Sequence, residues 1–189
     1  MMDELKKYLV EILPFTEKEL QKMVSLFSIH QLKKNDYVAV EGEYSTKLIF
    51  LVKGVMRAFY RNNNGDEYNK TFFTDSNFVG AYSSLVTKQK NLIDIQCLTD
   101  CEALITDYKQ LTDLYDHLPI VERLSRVLAE RFFVSKEKRE IELVMMDATQ
   151  RYKIFQGTHP NLENVIPQYH IASYLGVSPT QLSRIRAKR

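Results

Sequence analysis

The sequence predicts an α+β fold: helices at the start, a β-rich middle, one long helix and a pair of short helices at the end. Three observations carry this. Short β-prone runs cluster between Ile29 and Asp107. From Pro119 a run of about 27 residues contains neither Gly nor Pro. After Gln168 the pattern becomes helix, glycine turn, helix.

The opening segment is helical because Leu5, Leu9, Ile12 and Leu13 form one apolar stripe, which Pro14 stops. Thr16 and Glu19 then have the spacing of a capping box for a second helix. The runs YVAV, KLIFLV, VMRAFYR, KTFF and LIDIQCL follow, separated by EGEYST, KG, NNNGDE and TDSN. Many short strands joined by tight turns predict a barrel or sandwich. In NNNGDE, Asn and Gly are expected to supply the positive φ angles of a hairpin.

A short helix over YKQLTDLYDHL leads into the long one. Leu118, Val121, Ser125, Leu128, Phe132 and Ser135 line one side of that helix, while Ile120, Leu124, Val127 and Val134 line another. A helix resting on its own domain needs one such stripe. The second is covered either by another part of the same chain or by another copy. The expectation is a homodimer, with Val121, Ser125, Leu128 and Phe132 on the dimer helix. The predicted divisions are residues 1–118, 119–146 and 147–189.

Asp147 is placed to cap a helix over ATQRYKIFQ, which Gly157 should end. Gln168 to Leu175 makes the next helix, Gly176 the turn, and Ser178 the start of the last helix. Ile171, Leu175, Val177, Leu182 and Ile185 form the core of this pair, with Ala172 small where the helices cross. Charge is uneven along the chain: residues 1–146 hold 20 basic and 22 acidic side chains, residues 147–189 hold 6 and 2. No acid follows Asn164. A polar, acid-free helix behind a glycine turn suits the DNA major groove. Thr180, Gln181 and Arg184 would face base edges, with Ser178 at phosphate and Pro179 and Ser183 beside them. Arg184 is the best reader, because its planar fork matches guanine O6 and N7. Arg186, Lys188 and Arg189 would neutralise phosphates.

Composition excludes other classes. The chain has 189 residues, 44% hydrophobic and 26% charged, with a net charge of +2, which argues for a folded globular protein rather than a disordered one. No apolar run approaches the roughly 18 residues of a membrane span, and MMDELKKYLVEILPF lacks the clean apolar stretch of a signal peptide, so the expected location is the cytoplasm. Cys97 and Cys101 read as buried thiols; on a single strand their Cα atoms would lie roughly 13 Å apart, too far for a disulfide. Their spacing does not match a zinc knuckle. His30, His117, His159 and His170 are scattered singly and read as surface or hinge residues rather than metal or haem ligands. The chain contains no H-x-H pair for a cupin-type metal enzyme, no G-x-S-x-G elbow and no phosphate-binding G-x4-G-K-S/T loop. No catalytic residue and no cofactor is predicted. A ligand- or protein-binding module without DNA binding is the alternative.

VEGEYSTKLIFLVKGVMRAFYRNNNGDE, DSNFVGAYSSL and IPQYHIASYLGVSPTQLSRIRAKR, in this order, resemble the Crp/Fnr superfamily of transcription regulators, particularly its short-tailed members. The resemblance spans nearly the whole chain. It implies a cyclic-nucleotide-binding-like, double-stranded β-roll, a dimerisation helix and a helix-turn-helix that binds an inverted repeat in double-stranded DNA. It also implies RNA polymerase as a partner where such a protein activates. The family's nucleotide cassette uses Gly-Glu for the ribose and a later Arg, followed by a small residue, for the cyclic phosphate. Here Gly80 is kept, Ala81 stands in the Glu position, and Asn91 with Leu92 replaces the Arg pair. A buried phosphate without a cation is costly, so cyclic AMP is expected not to bind well. Gly80, Ala81, Ser83, Ser84, Asn91 and Leu92 would line the pocket of another small-molecule effector, or Tyr82 and Leu85 would fill it. An oxygen-sensing iron–sulfur cluster needs four cysteines, and this chain has two.

Overall fold

A computed structural model describes residues 1–187; the predicted phosphate contacts Lys188 and Arg189 lie outside the described residues. The chain runs through α1 (Met2–Ile12), α2 (Glu17–Val24), β1 (Ser28–Leu32), β2 (Tyr37–Ala39), β3 (Lys47–Lys53), β4 (Met56–Arg61), β5 (Glu67–Phe73) and β6 (Asn77–Val79). It continues through α3 (Tyr82–Thr87), β7 (Asp94–Cys97), β8 (Cys101–Asp107), α4 (Tyr108–Thr112), α5 (Pro119–Met145), α6 (Ala148–Thr158), a 3-10 turn (Leu162–Asn164), α7 (Gln168–Leu175) and α8 (Pro179–Ala187). These elements give the α+β architecture of the Sequence analysis, with a β-roll ahead of the long helix. They form two compact units: Met1–Ala58 with Phe72–Ala129, and Phe59–Thr71 with Glu130–Arg189.

In the first unit β3 is the central strand. The roll consists of two four-stranded sheets, ordered β1-β8-β3-β6 and β2-β7-β4-β5. Successive side chains of β3 point to opposite faces. Phe50 lies opposite Phe78 and Leu104 on the neighbouring strands, whereas Ile49 lies opposite Val79 and Ile105. Phe50, Phe78 and Leu104 pack with Leu5 and Leu9 of α1, Met23 of α2 and Val121 and Leu124 of α5. Ile49 and Leu51 pack inside the roll with Met56, Val79, Ile95 and Ala103. Both faces of the strand are therefore dry, and this is why KLIFLV reads as a continuous apolar run rather than an alternating one.

The helix starts follow the predicted caps. Thr16 and Glu19 form the reciprocal capping box of α2, and Asp147 with Gln150 forms that of α6. Gly157 does not stop α6: the helix passes through it to Thr158 and is closed by His159. The hairpin turn also differs from expectation, because Gly65 alone of NNNGDE takes a positive φ, at 86°. Asn62 acts through its side chain instead: its Oδ1 accepts the N–H of Asn64 and of Asp66, both at 2.9 Å.

Val121 belongs to the core of its own unit and is 0% exposed, so it is not available to a partner chain. The early part of α5 had to be apolar for the roll's sake, and the stripe pattern cannot separate that demand from a dimer's. Cys97 and Cys101 are buried thiols, as expected, but they end β7 and begin β8 rather than sharing a strand. A hydrogen bond between the two thiols lowers the Cys101 pKa and raises that of Cys97.

The β3–β4 turn depends on Gly54. Its φ is +115°, and a Cβ there would lie 2.6 Å from Cys101 Sγ and 2.7 Å from the carbonyl oxygen of Asp100. Gly54→Ala would meet both backbone strain and overpacking, and is expected to lower stability by about 2–4 kcal/mol in urea unfolding.

Candidate functional site

Within the second unit, α7 and α8 form the predicted helix-turn-helix. The α7 bounds match the predicted ones, and Gly176 closes the helix in the left-handed region at φ 68°. Its N–H bonds back to Ala172 and Ser173 carbonyls, and the Val177 N–H also reaches Ala172 O, at 3.0 Å. Ser178 then caps α8: its Oγ accepts the Gln181 N–H at 3.2 Å, and Gln181 Oε1 accepts the Ser178 N–H at 2.9 Å. Ile171, Ala172, Leu175 and Leu182 are buried between the helices.

That packing sets what α8 presents. With Leu182 inward, Pro179, Thr180, Gln181, Ser183, Arg184 and Arg186 are all exposed. Thr180 and Arg184, four residues apart, share a face, and Gln181 and Arg184, three apart, are neighbours on it. The predicted base-reading trio is therefore contiguous on the helix surface.

Residues absent from the sequence reading hold α7 in place. The guanidinium of Arg139 on α5 sits 3.9 Å from the ring centroid of Tyr174 and donates to the Tyr174 carbonyl oxygen. It also pairs with Glu142 at 2.8 Å. Arg151 on α6 donates to Leu175 O at 3.1 Å. Two cations thus satisfy carbonyls at the negative end of α7. They lie 35 and 24 residues from their acceptors, so no local pattern in the sequence marks them. Burial, helped by Arg139, lowers the pKa of the neighbouring His159. His170 is buried within α7, contrary to the expected surface or hinge position.

In the first unit the expected effector pocket does not assemble. Ala81, Ser84 and Asn91 are buried, whereas Ser83 and Leu92 are exposed, Leu92 by 71%. The space beside Gly80 is taken by Leu85, whose Cδ1 would lie 3.1 Å from an added Cβ; Tyr82 faces outward against Tyr108 instead. Ser84 and Asn91 bond to the chain itself. Ser84 Oγ donates to Gln89 O at 2.6 Å and accepts the Ser45 N–H at 3.2 Å. Asn91 Nδ2 donates to Val40 O at 3.0 Å and to Ser45 Oγ at 2.8 Å. A cavity of about 170 Å³ lies between residues 37–40 and the 43–47 loop, and of the expected effector residues it touches Asn91 alone. Asn91 Oδ1 is buried without a hydrogen-bond partner. That atom calls for a donor, and a phosphodiester anion offers acceptors only.

Residues 29–117 match the family model of the cyclic nucleotide-binding domain. Over 185 residues the chain is 27% identical to the cAMP-activated global transcriptional regulator CRP of Salmonella typhimurium, covering 91% of this chain and 87% of that protein. A structure described as a transcriptional regulator of the crp/fnr family from Eubacterium rectale superposes with a TM-score of 0.72 at 14% identity, covering 94% of this chain and 87% of that one. The chain is thus similar to Crp/Fnr regulators, with a cyclic nucleotide-binding domain match over residues 29–117. Another structural relative is the c-di-GMP responsive global regulator CLP of Xanthomonas campestris, with a TM-score of 0.72 at 15% identity over 92% of this chain and 91% of that one. The chain has the roll, long helix and terminal helix pair that the resemblance implies, but not the cassette side chains it associates with a cyclic nucleotide. Among its described residues no helix is long and apolar enough to cross a membrane, and no group of three or more His, Cys, Asp or Glu could hold a metal ion.

Arg139→Ala would remove a charge-assisted bond and a cation–π contact from a half-buried site. The expected loss is about 2 kcal/mol in thermal unfolding of the full chain, followed by circular dichroism.

Proposed function

We propose that this protein is a Crp/Fnr-type regulator: a dimeric, sequence-specific DNA-binding transcription regulator that does not respond to cyclic AMP and is not an enzyme. The observation that carries the reading is α8: an exposed, acid-free face bearing Thr180, Gln181 and Arg184 behind a left-handed glycine turn. That face offers donors and a guanidinium fork to base edges, with Arg186 toward phosphates. Relatives named as transcriptional regulators support it.

The dimer reading rests on the far end of α5. Phe132, Phe133, Ile141, Val144 and Met145 are exposed there, Phe133 by 62% and Met145 by 75%. A second copy of the same helix would cover such a face with an isologous contact. Ser125, Leu128 and Phe132 remain candidate dimer residues, and residues 119–146 the dimerisation segment. Two symmetry-related α8 helices would meet half-sites about 34 Å apart, which requires an inverted repeat. RNA polymerase is the further partner if the protein activates.

Selection from random duplex DNA by ligand-free protein, with the mass of the complex measured alongside, should enrich an inverted repeat bound by two chains. No enrichment with or without cell extract, together with salt-independent binding, would favour a protein-docking module instead. On the selected site, Arg184→Ala is expected to relax the preference at one position per half-site by about 1–3 kcal/mol. Arg186→Ala should weaken all duplexes alike and flatten the salt slope. Identical effects from both would refute the division of labour. Titration with cyclic AMP to about 1 mM should give no saturable heat, and saturation well below that would overturn the effector reading.

A further inference from the structure

The cavity beside β2 excludes all but one of the residues expected to line an effector pocket. Its walls are residues 37–40, the 43–47 loop and Asn91. Backbone bonds fasten the loop to Asn91: the Asn91 N–H reaches Glu43 O at 2.7 Å, and the Gly42 N–H reaches Asn91 O at 2.9 Å. The Asn91 amide completes the frame. Its Nδ2 donates to Val40 O and Ser45 Oγ, and both of those residues line the same cavity. What remains is Oδ1, which is buried without a hydrogen-bond partner on a side chain only 3% exposed.

A buried acceptor left unbonded is unfavourable, and a donor brought into the cavity removes that cost. The lining selects the kind of donor. Glu43 contributes a carboxylate, whereas the one ammonium of the lining, Lys47, is already paired with Asp107 at 3.2 Å. Tyr37 and Tyr44 add aromatic rings, whose faces attract cations. Val38, Ala39 and Val40 are apolar, and water gains nothing from such surface. Size narrows the choice further. A cavity of about 150 Å³ holds a benzene molecule, so about 170 Å³ suits a ligand of roughly six to eight non-hydrogen atoms.

We propose that this cavity is a binding site for a small organic ammonium ion with a compact apolar body. The N–H groups of the ligand meet Asn91 Oδ1 and the Glu43 carboxylate, and its body lies against Val38, Val40 and the tyrosine rings. A neutral alcohol of the same shape satisfies Oδ1 but leaves the carboxylate without a counter-charge. An organic carboxylate brings no donor and is repelled by Glu43. The site needs the roll alone and is independent of the DNA-binding reading. A ligand held there bridges β2, the 43–47 loop and Asn91, and so raises the stability of the fold by linkage.

The test titrates the full chain with benzylammonium, benzyl alcohol and benzoate, followed by calorimetry and by thermal unfolding. Benzylammonium should bind saturably with a Kd at or below about 1 mM and raise the unfolding temperature. Benzyl alcohol should bind about tenfold more weakly, and benzoate not at all up to about 10 mM. Glu43→Gln removes the charge and keeps the shape, and should narrow the preference for the ammonium over the alcohol to about twofold. Asn91→Ala should weaken both ligands at least about tenfold. If Asn91→Ala fails to fold through loss of its Nδ2 bonds, Glu43→Gln decides. No saturable binding of benzylammonium up to about 10 mM overturns the proposal and leaves the cavity to water. So does benzoate binding as tightly as benzylammonium, or a preference that Glu43→Gln leaves unchanged. None of these results bears on the selection of duplex DNA, so the two readings stand or fall separately.

Discussion

Burial of β3 on both faces is the constraint from which the rest of the first unit follows. Ile49 and Leu51 need the interior of the roll, and Phe50 needs a cover outside it. That outer cover is assembled from both ends of the unit: α1 and α2 before the roll, and the first turns of α5 after it. The long helix therefore starts as a component of the roll core. Val121 and Leu124 anchor it, and only beyond Ala129 does its apolar surface become exposed.

The second unit is held differently. It combines apolar contacts, such as Leu182 within the helix pair and Phe155 against Tyr174, with long-range polar ties. Arg139 and Arg151 reach the α7 C-terminus, and Asn69 and Ser173 join the hairpin to the same helix. Polar ties of this sort are directional, so they set an orientation as well as a distance. An apolar contact of equal strength would tolerate sliding; these do not.

Local rules account for what the sequence shows openly. Capping boxes at Thr16 and Asp147, the α7 bounds and the left-handed Gly176 all depend on residues within a few positions of one another. β1 was harder to recognise, because SIHQL has no alternating apolar pattern and its side chains are largely exposed; its place comes from pairing with β8, some seventy residues away. Gly157 failed as a stop because a helix tolerates one glycine at modest cost when its flanking turns are well bonded. The DNA-facing candidates were legible because α8 is amphipathic on a single turn-defined frame. The effector residues were not, since Leu92 and Asn91 are adjacent in sequence yet point to solvent and to core. The arginine and asparagine ties were invisible, as each joins positions separated by 24 residues or more.

Asn91 changes the thermodynamics of the roll. An arginine at a phosphate site spends its ligand-free life as a partly desolvated cation, and the bound anion returns that cost as added stability. The Asn91 amide is neutral, and its nitrogen is committed to Val40 and Ser45. No such reserve exists for an anion to release. On the cyclic-AMP-independent reading proposed above, the folded population of this roll would be decoupled from nucleotide supply, because a ligand stabilises only what it binds.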